Sequence, residues 1–266
     1  MDQHIDHQEL LDIATQVGVS LLQSGAEIYR VEDSIQRIVA AYGVKEGDVF
    51  AVPTTIISII TITTTIIVTI NPPGGKTLTK TKRIYSRSTD LDRIYRLNDL
   101  SFDIVEEPPT FEEIERRLKA IASQPVYPLP IQVFACALAA FGFTLFFGGN
   151  LMDAICSLTL GAAIRLIGYG MDLFHTNGFF INTISSAVTA FLAVFWVEIG
   201  VADHIDKMVI GAIMNLVPGV AITNSMRDII AGDLLAGQAK LVEALFIATA
   251  IALGAGMVLS LHRLFF

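Results

Sequence analysis

The feature that most constrains this chain is a succession of apolar segments in its second half, each close to the length that crosses a lipid bilayer. A membrane-spanning helix needs roughly 20 mostly apolar residues, and lipid offers the backbone no hydrogen-bond partner outside its own helix. Five segments meet that need, at about 131–148, 151–173, 178–200, 206–223 and 237–262. Gly148-Gly-Asn150 and the region around Thr176-Asn-Gly178 read as turns, so the first three spans are expected to be tight antiparallel neighbours.

Charge divides the chain. Residues 1–122 hold 13 of the 18 Lys+Arg and 18 of the 26 Asp+Glu, leaving 5 and 8 for residues 123–266. The expected organisation is therefore a normally charged domain over 1–122, a linker over 123–130 (Ser123-Gln-Pro-Val-Tyr-Pro-Leu-Pro130), and a helical transmembrane domain over 131–266. The net charge of −8 gives no footprint for nucleic acid. The start, Met1-Asp-Gln-His-Ile-Asp6, lacks the basic and apolar regions of a cleaved signal peptide, so none is expected. Cys136 and Cys156 both lie in apolar segments and suit packing better than a disulfide or a zinc site. Neither a metal nor a cofactor is expected.

In the first domain, Leu10, Ala14, Val17 and Leu21 outline a helix that ends or kinks near Gly25. Ile28, Val31, Ile35, Ile38, Val39 and Tyr42 outline a second, stopped at Gly43. Thr54–Ile70 is an uncharged run of 17 residues, but 7 of them are Thr and most others Ile or Val, so it reads as β-structure rather than a span. Asn71-Pro-Pro-Gly-Gly75 then turns the chain into Thr77–Tyr85, making a hairpin, and helices near 90–104 and 110–122 complete an α+β domain. Lys76, Lys80, Lys82 and Arg83 on the second strand suit either a guarded sheet edge or a contact with anionic headgroups. Glu27, Arg30 and Glu32, where the first helices meet, suit a salt bridge or a regulatory contact.

Basic residues set the orientation. Arg116, Arg117 and Lys119 precede the first span while the 148–150 turn has none, which points to a cytoplasmic N-domain. Five crossings then leave Arg227 and Lys240 inside and the C-terminus outside, with Lys207 and Arg263 running against the rule.

Polar residues inside the spans carry the functional information. Leu216-Val-Pro-Gly-Val-Ala-Ile-Thr-Asn-Ser-Met-Arg-Asp-Ile-Ile-Ala-Gly-Asp233 breaks the fourth apolar segment, and freed backbone survives at membrane depth only against protein or a watery cavity. Broken helices of this kind form substrate sites in transporters. Asn215 lies one turn before the break at Pro218-Gly219. A short helix over Ser225–Leu235, capped by Thr223, Asn224 or Ser225, would present free N–H groups to an anion. Arg227 could meet a carboxylate. Asp228, Asp233 and Glu243 are proton-carrying candidates, although Glu243 also suits a plain ion pair with Lys240 three residues earlier. Asn182, Ser185, Ser186 and Thr189 form one polar stripe, suited to interhelical packing or to lining a cavity. Arg165 and Asp172 share a face seven residues apart, with Tyr169 between them, and form a candidate intramembrane charge pair, either structural or a substrate clamp. Asp153 falls near the outer end of its span. The small-residue pairs Ser157/Gly161, Ala250/Gly254 and Ala252/Gly256 would let helices approach closely, and hint at partner helices or a homo-oligomer.

Gly25-Ala-Glu-Ile-Tyr-Arg-Val-Glu32, Val217-Pro-Gly, Thr223-Asn, Arg227-Asp, Gly232-Asp and Glu243-Ala together resemble the threonine/serine exporter family, which includes the YjjP-like bacterial proteins, some linked to succinate export. The likeness runs over essentially the whole chain. It implies a secondary exporter of small amino acids or small carboxylates, driven by protons, in the bacterial inner membrane. Motif positions map onto Pro218, Gly219, Thr223, Asn224, Asp228, Asp233 and Glu243, with Asn182 matched more loosely. Full-length members carry about ten spans, so five resemble the split form, in which a second, smaller membrane subunit supplies the rest. A metabolite-sensing or assembly subunit is the alternative. No zinc-protease or nucleophile-elbow motif is present, so the chain does not read as an enzyme.

Overall fold

The computed structural model describes residues 6–44, 47–58, 61–73, 75–84, 88–125, 127–174 and 176–265. The chain falls into two compact units, one of Met1–Pro125 with Val220–Leu241, the other of Val126–Gly219 with Val242–Phe266.

In the first unit, α1 (His7–Gln23) is capped by the Asp6 carboxylate, which accepts from the N–H of Gln8 and Glu9. It ends at Gly25, whose φ of +87° suits a residue without a Cβ. A Cβ there would also lie 2.8 Å from the Ser88 carbonyl oxygen. Helix α2 (Ile28–Ala41) stops at Gly43, again with positive φ. Three antiparallel strands follow in the order β1 (Gly47–Ser58), β2 (Thr61–Ile70), β3 (Leu78–Ile84). The Thr54–Ile70 run is thus not one long strand. It folds back on itself, with Ser58 opposite Thr61 and Gly47 opposite Ile70, while Ile59 and Ile60 lie outside the described residues. The tip of the following hairpin at Gly74, and Tyr85, are also outside them.

Period-2 alternation turns Thr64, Ile66, Val68 and Ile70 to one face, where they are buried against α1, α2, α3 (Leu91–Glu106) and α4 (Phe111–Ala122). Sheet and helices share one apolar core. β3 is an edge strand, and its Lys80 is tied to Asp12 of α1. Ala236, from the start of α10 (Leu234–Phe265), joins the same core.

The second unit contains α5 (Leu129–Phe146), α6 (Leu151–Asp172), α7 (Gly178–Glu198), α8 (Ile205–Ile213) and the later turns of α10. Its contacts rest on small residues. A Cβ on Gly161 would sit 2.3 Å from the Cys136 carbonyl oxygen, and one on Gly211 2.3 Å from Thr144 Oγ1. Gly254 of α10 meets Thr183 and Ser186 of α7 as closely. Thr144 and Ser157 share a buried hydrogen bond of 2.8 Å. Large apolar side chains such as Phe134, Phe146, Leu166, Phe191 and Met257 point outward, as a lipid-facing surface requires.

Among the described residues, four helices are long and apolar enough to cross a membrane: α5, α6, α7 and α10. The fifth expected span, 206–223, is not a single helix. Its first part is α8, nine residues long, or roughly 14 Å at 1.5 Å per residue, well short of a bilayer core. The chain is non-helical from Met214 to Pro218, and α9 (Gly219–Ala231) starts directly after the proline. A proline suits the start of a helix, where its missing N–H is not needed. The expected start near Ser225 is therefore too late. Composition also placed 220–241 with the membrane half, whereas its contacts group it with the first unit.

Candidate functional site

Helix α9, its Gly232 turn and the first two turns of α10 form a helical hairpin in the first unit. Gly232 has a φ of +102°, and the Asp233 N–H donates to the Asp228 carbonyl at 2.9 Å. Gly237 lets the two helices close, since a Cβ there would lie 2.4 Å from Ile229 and 2.8 Å from the Ser225 carbonyl oxygen. This close approach brings two distant charges together. Lys240 Nζ lies 2.7 Å from Asp228 Oδ2, with Asp228 fully buried and Lys240 8% exposed.

The ion pair is under-bonded. Its angles are not those of a hydrogen bond, so both Asp228 oxygens and Lys240 Nζ keep their hydrogen-bonding capacity among the described residues. The buried Ser225 hydroxyl, one turn before Asp228, has no partner either. Buried polar groups are nearly always satisfied, so four such atoms make this hairpin the candidate site. Asp233 lies close by. Burial, and then the neighbouring negative charge of Asp228, push its carboxyl above the ordinary range, with Lys240 opposing.

Anchoring contacts surround this pair. Asn224 Nδ2 donates to the Gly25 carbonyl at 3.3 Å, and Arg227 donates to Glu27 Oε1. Arg30 Nε donates to Glu27 Oε2 at 3.0 Å. Burial alone would raise the Glu27 carboxyl, but its own backbone N–H and the two arginines outweigh that and hold it below the ordinary range. The Glu27–Arg30 salt bridge expected from the sequence is present, and Arg227 extends it.

The other sequence candidates separate. Thr223 is exposed on α9. Asn215, Pro218, Gly219, Asn182 and Glu243 fall in the second unit. Asn215 Nδ2 donates to the carbonyls of Cys136 and Ala212, which fastens the end of α8 to α5. In the α7 stripe Asn182 is half-buried, while Ser186 and Thr189 donate to the carbonyls of Thr183 and Ser185 in their own helix. Ser186 also meets Gly254, the pattern of interhelical packing. Glu243 is exposed on α10.

The expected Arg165–Asp172 pair does not form. Arg165 Nε donates to Gln132 Oε1 of α5 at 2.7 Å, and Asp172 is exposed at the end of α6. A neutral amide from the adjacent helix replaces the carboxylate that lay two helical turns away along the same helix. Asp153, Asp203 and His204 are near enough to share an ion. Both Asp153 oxygens are already engaged, however, by the N–H groups of Asn150, Asp203 and His204 and by His204 Nδ1, so Asp153 clasps the α8 entry onto the start of α6.

Lys240 and Ser225 complete the site beyond the motif residues, and Gly25 and Glu27 of the first motif anchor it. A signal for Lys240 was present: a lysine in an apolar segment costs roughly 2.5–3.5 kcal/mol and demands a partner. Glu243, one turn away, drew the pairing instead.

Comparison with known proteins gives the family. The family model of the ThrE threonine/serine exporters matches residues 12–262. A Mycobacterium tuberculosis protein named "Probable threonine/serine exporter" is 23% identical over 248 residues, covering 93% of this chain and 45% of its own length. The "Threonine/serine exporter" of Corynebacterium glutamicum is 24% identical over 272 residues, covering 97% of this chain and 53% of its own. The chain thus spans about half the length of these curated relatives. No solved structure matches.

Proposed function

Since the chain belongs to the threonine/serine exporter family, a family of transporters and not of enzymes, we propose that it forms part of a proton-coupled secondary exporter of small amino acids. The carrying observation is the buried, under-bonded Asp228–Lys240 pair. A zwitterionic amino acid offers an ammonium to Asp228 and a carboxylate to Lys240, so it replaces the ion pair charge for charge. The Ser225 hydroxyl supplies a further polar contact. Succinate has no ammonium and would leave Asp228 facing a like charge, so threonine and serine are the favoured cargo.

Asp233 acts as the proton carrier. Burial, and then the negative charge of Asp228, raise its affinity for protons above that of an ordinary aspartate. Glu243 on α10 is a second carrier candidate. Asn224 and Arg227 hold α9 against the α1–α2 junction, so breaking the Glu27–Arg227 contact is the step that would free the hairpin. The Pro218-Gly219 break lies at the start of α9, and Thr223 follows one turn later.

The first unit lies on the cytoplasmic side of the bacterial inner membrane, as the basic residues before α5 favour. In this reading a second, smaller membrane subunit supplies further helices. The test is uptake of threonine, serine and succinate into inverted vesicles under an imposed proton gradient, with this chain present alone and with that subunit. Gradient-driven uptake of the amino acids, requiring both chains, is expected. Uptake of succinate in preference to threonine contradicts the zwitterion assignment.

A further inference from the structure

The first unit encloses a second polar feature, a cavity of about 540 Å³ between α1, β3, the start of α3 and the end of α4. None of the residues of the α9–α10 hairpin lines it. That volume is within the roughly 300–1,000 Å³ typical of small-molecule sites.

Its lining carries four cations against three carboxylates, those of Glu9, Asp12 and Glu115. Of its four cations, Lys80 is paired with Asp12 and Lys119 with Glu115 at 3.0 Å. Among the described residues Lys82 and Arg93 have no ion pair. Arg93 Nε is buried without a hydrogen-bond partner, and so is the hydroxyl of Thr15, a residue only 2% exposed. An orphaned donor of this kind costs about 1–3 kcal/mol, more when charged, so one on α1 and one on α3 call for a ligand oxygen. Gln16 and Ser20, on the same face of α1, add further donors.

We propose that this cavity binds a small dianion, a dicarboxylate or phosphate species, with Arg93 and Lys82 supplying the charge and Thr15 a hydrogen bond. The guanidinium fork suits paired oxygens, and Lys82 neutralises the second charge. The ligand is a regulator and not cargo, because the residues that hold it are separate from Asp228 and Lys240.

The test is calorimetric titration of the purified full chain in detergent with succinate and, separately, inorganic phosphate, at ionic strength held constant with sodium chloride. Saturable one-to-one binding of at least one of the two is expected, with the preferred anion identifying the source. Arg93→Gln and Lys82→Gln should each weaken it tenfold or more. Thr15→Val, which keeps the side-chain shape, should weaken it several-fold while raising the melting temperature. Should Arg93→Gln fail to fold, Thr15→Val decides. Absence of saturable binding for both anions, or variants that bind like the parent, overturns the proposal.

Discussion

Replacing Lys240 by methionine keeps the length and volume of the side chain and removes only its charge. Asp228 then stays behind, fully buried and facing an apolar group. Removing one partner of a buried ion pair typically costs about 3–5 kcal/mol. Asp228→Asn combined with Lys240→Met leaves no buried charge, and should return stability to within about 1–2 kcal/mol of the parent. The assay is unfolding of the detergent-solubilised chain, followed by circular dichroism. A loss under about 1 kcal/mol for Lys240→Met, or a double variant no more stable than Lys240→Met alone, would refute the buried-pair reasoning.

Asp233→Asn tests the proton carrier. A carboxyl whose folded pKa is raised adds stability at low pH that is lost as pH rises through the folded value. The variant should therefore be more stable than the parent at pH 7 and equal to it below about pH 4, in melting curves against pH, and should lose gradient-driven uptake. Glu27 carries the opposite sign: its lowered pKa gives stability present above the ordinary carboxylate range and lost on acidification. Glu27→Gln should cost about 1–2 kcal/mol at pH 7, discounted for the half-exposed Arg227, with the difference fading in acid. Gly254→Leu drives a side chain into Thr183 and Ser186 and should cost at least about 1–3 kcal/mol, read as a lower melting temperature with cross-linking between α7 and α10 reduced.

Apolar length was legible wherever one uninterrupted helix carried it, and α5, α6, α7 and α10 lie where hydropathy places them. Helix stops at Gly25 and Gly43 were legible too, since a positive φ leaves few alternatives to glycine. The fold-back inside Thr54–Ile70 was not, because a Thr/Ile run has strand propensity everywhere and no turn residue to mark its reversal. Partner choice was hardest. Spacing along one helix suggested Arg165 with Asp172 and Lys240 with Glu243, but Arg165 turns to Gln132 on the next helix and Lys240 to Asp228 across a glycine turn. Periodicity ranks neighbours within an element only, and both of these pairings depend on how separate helices approach.

The most direct test is threonine uptake into inverted vesicles under an imposed proton gradient, with the second subunit present throughout, comparing the parent with Asp228→Asn/Lys240→Met at matched membrane levels. With fold stability largely restored in the double variant, the account predicts that uptake falls at least tenfold. Parent-like, gradient-driven uptake by the double variant would contradict it.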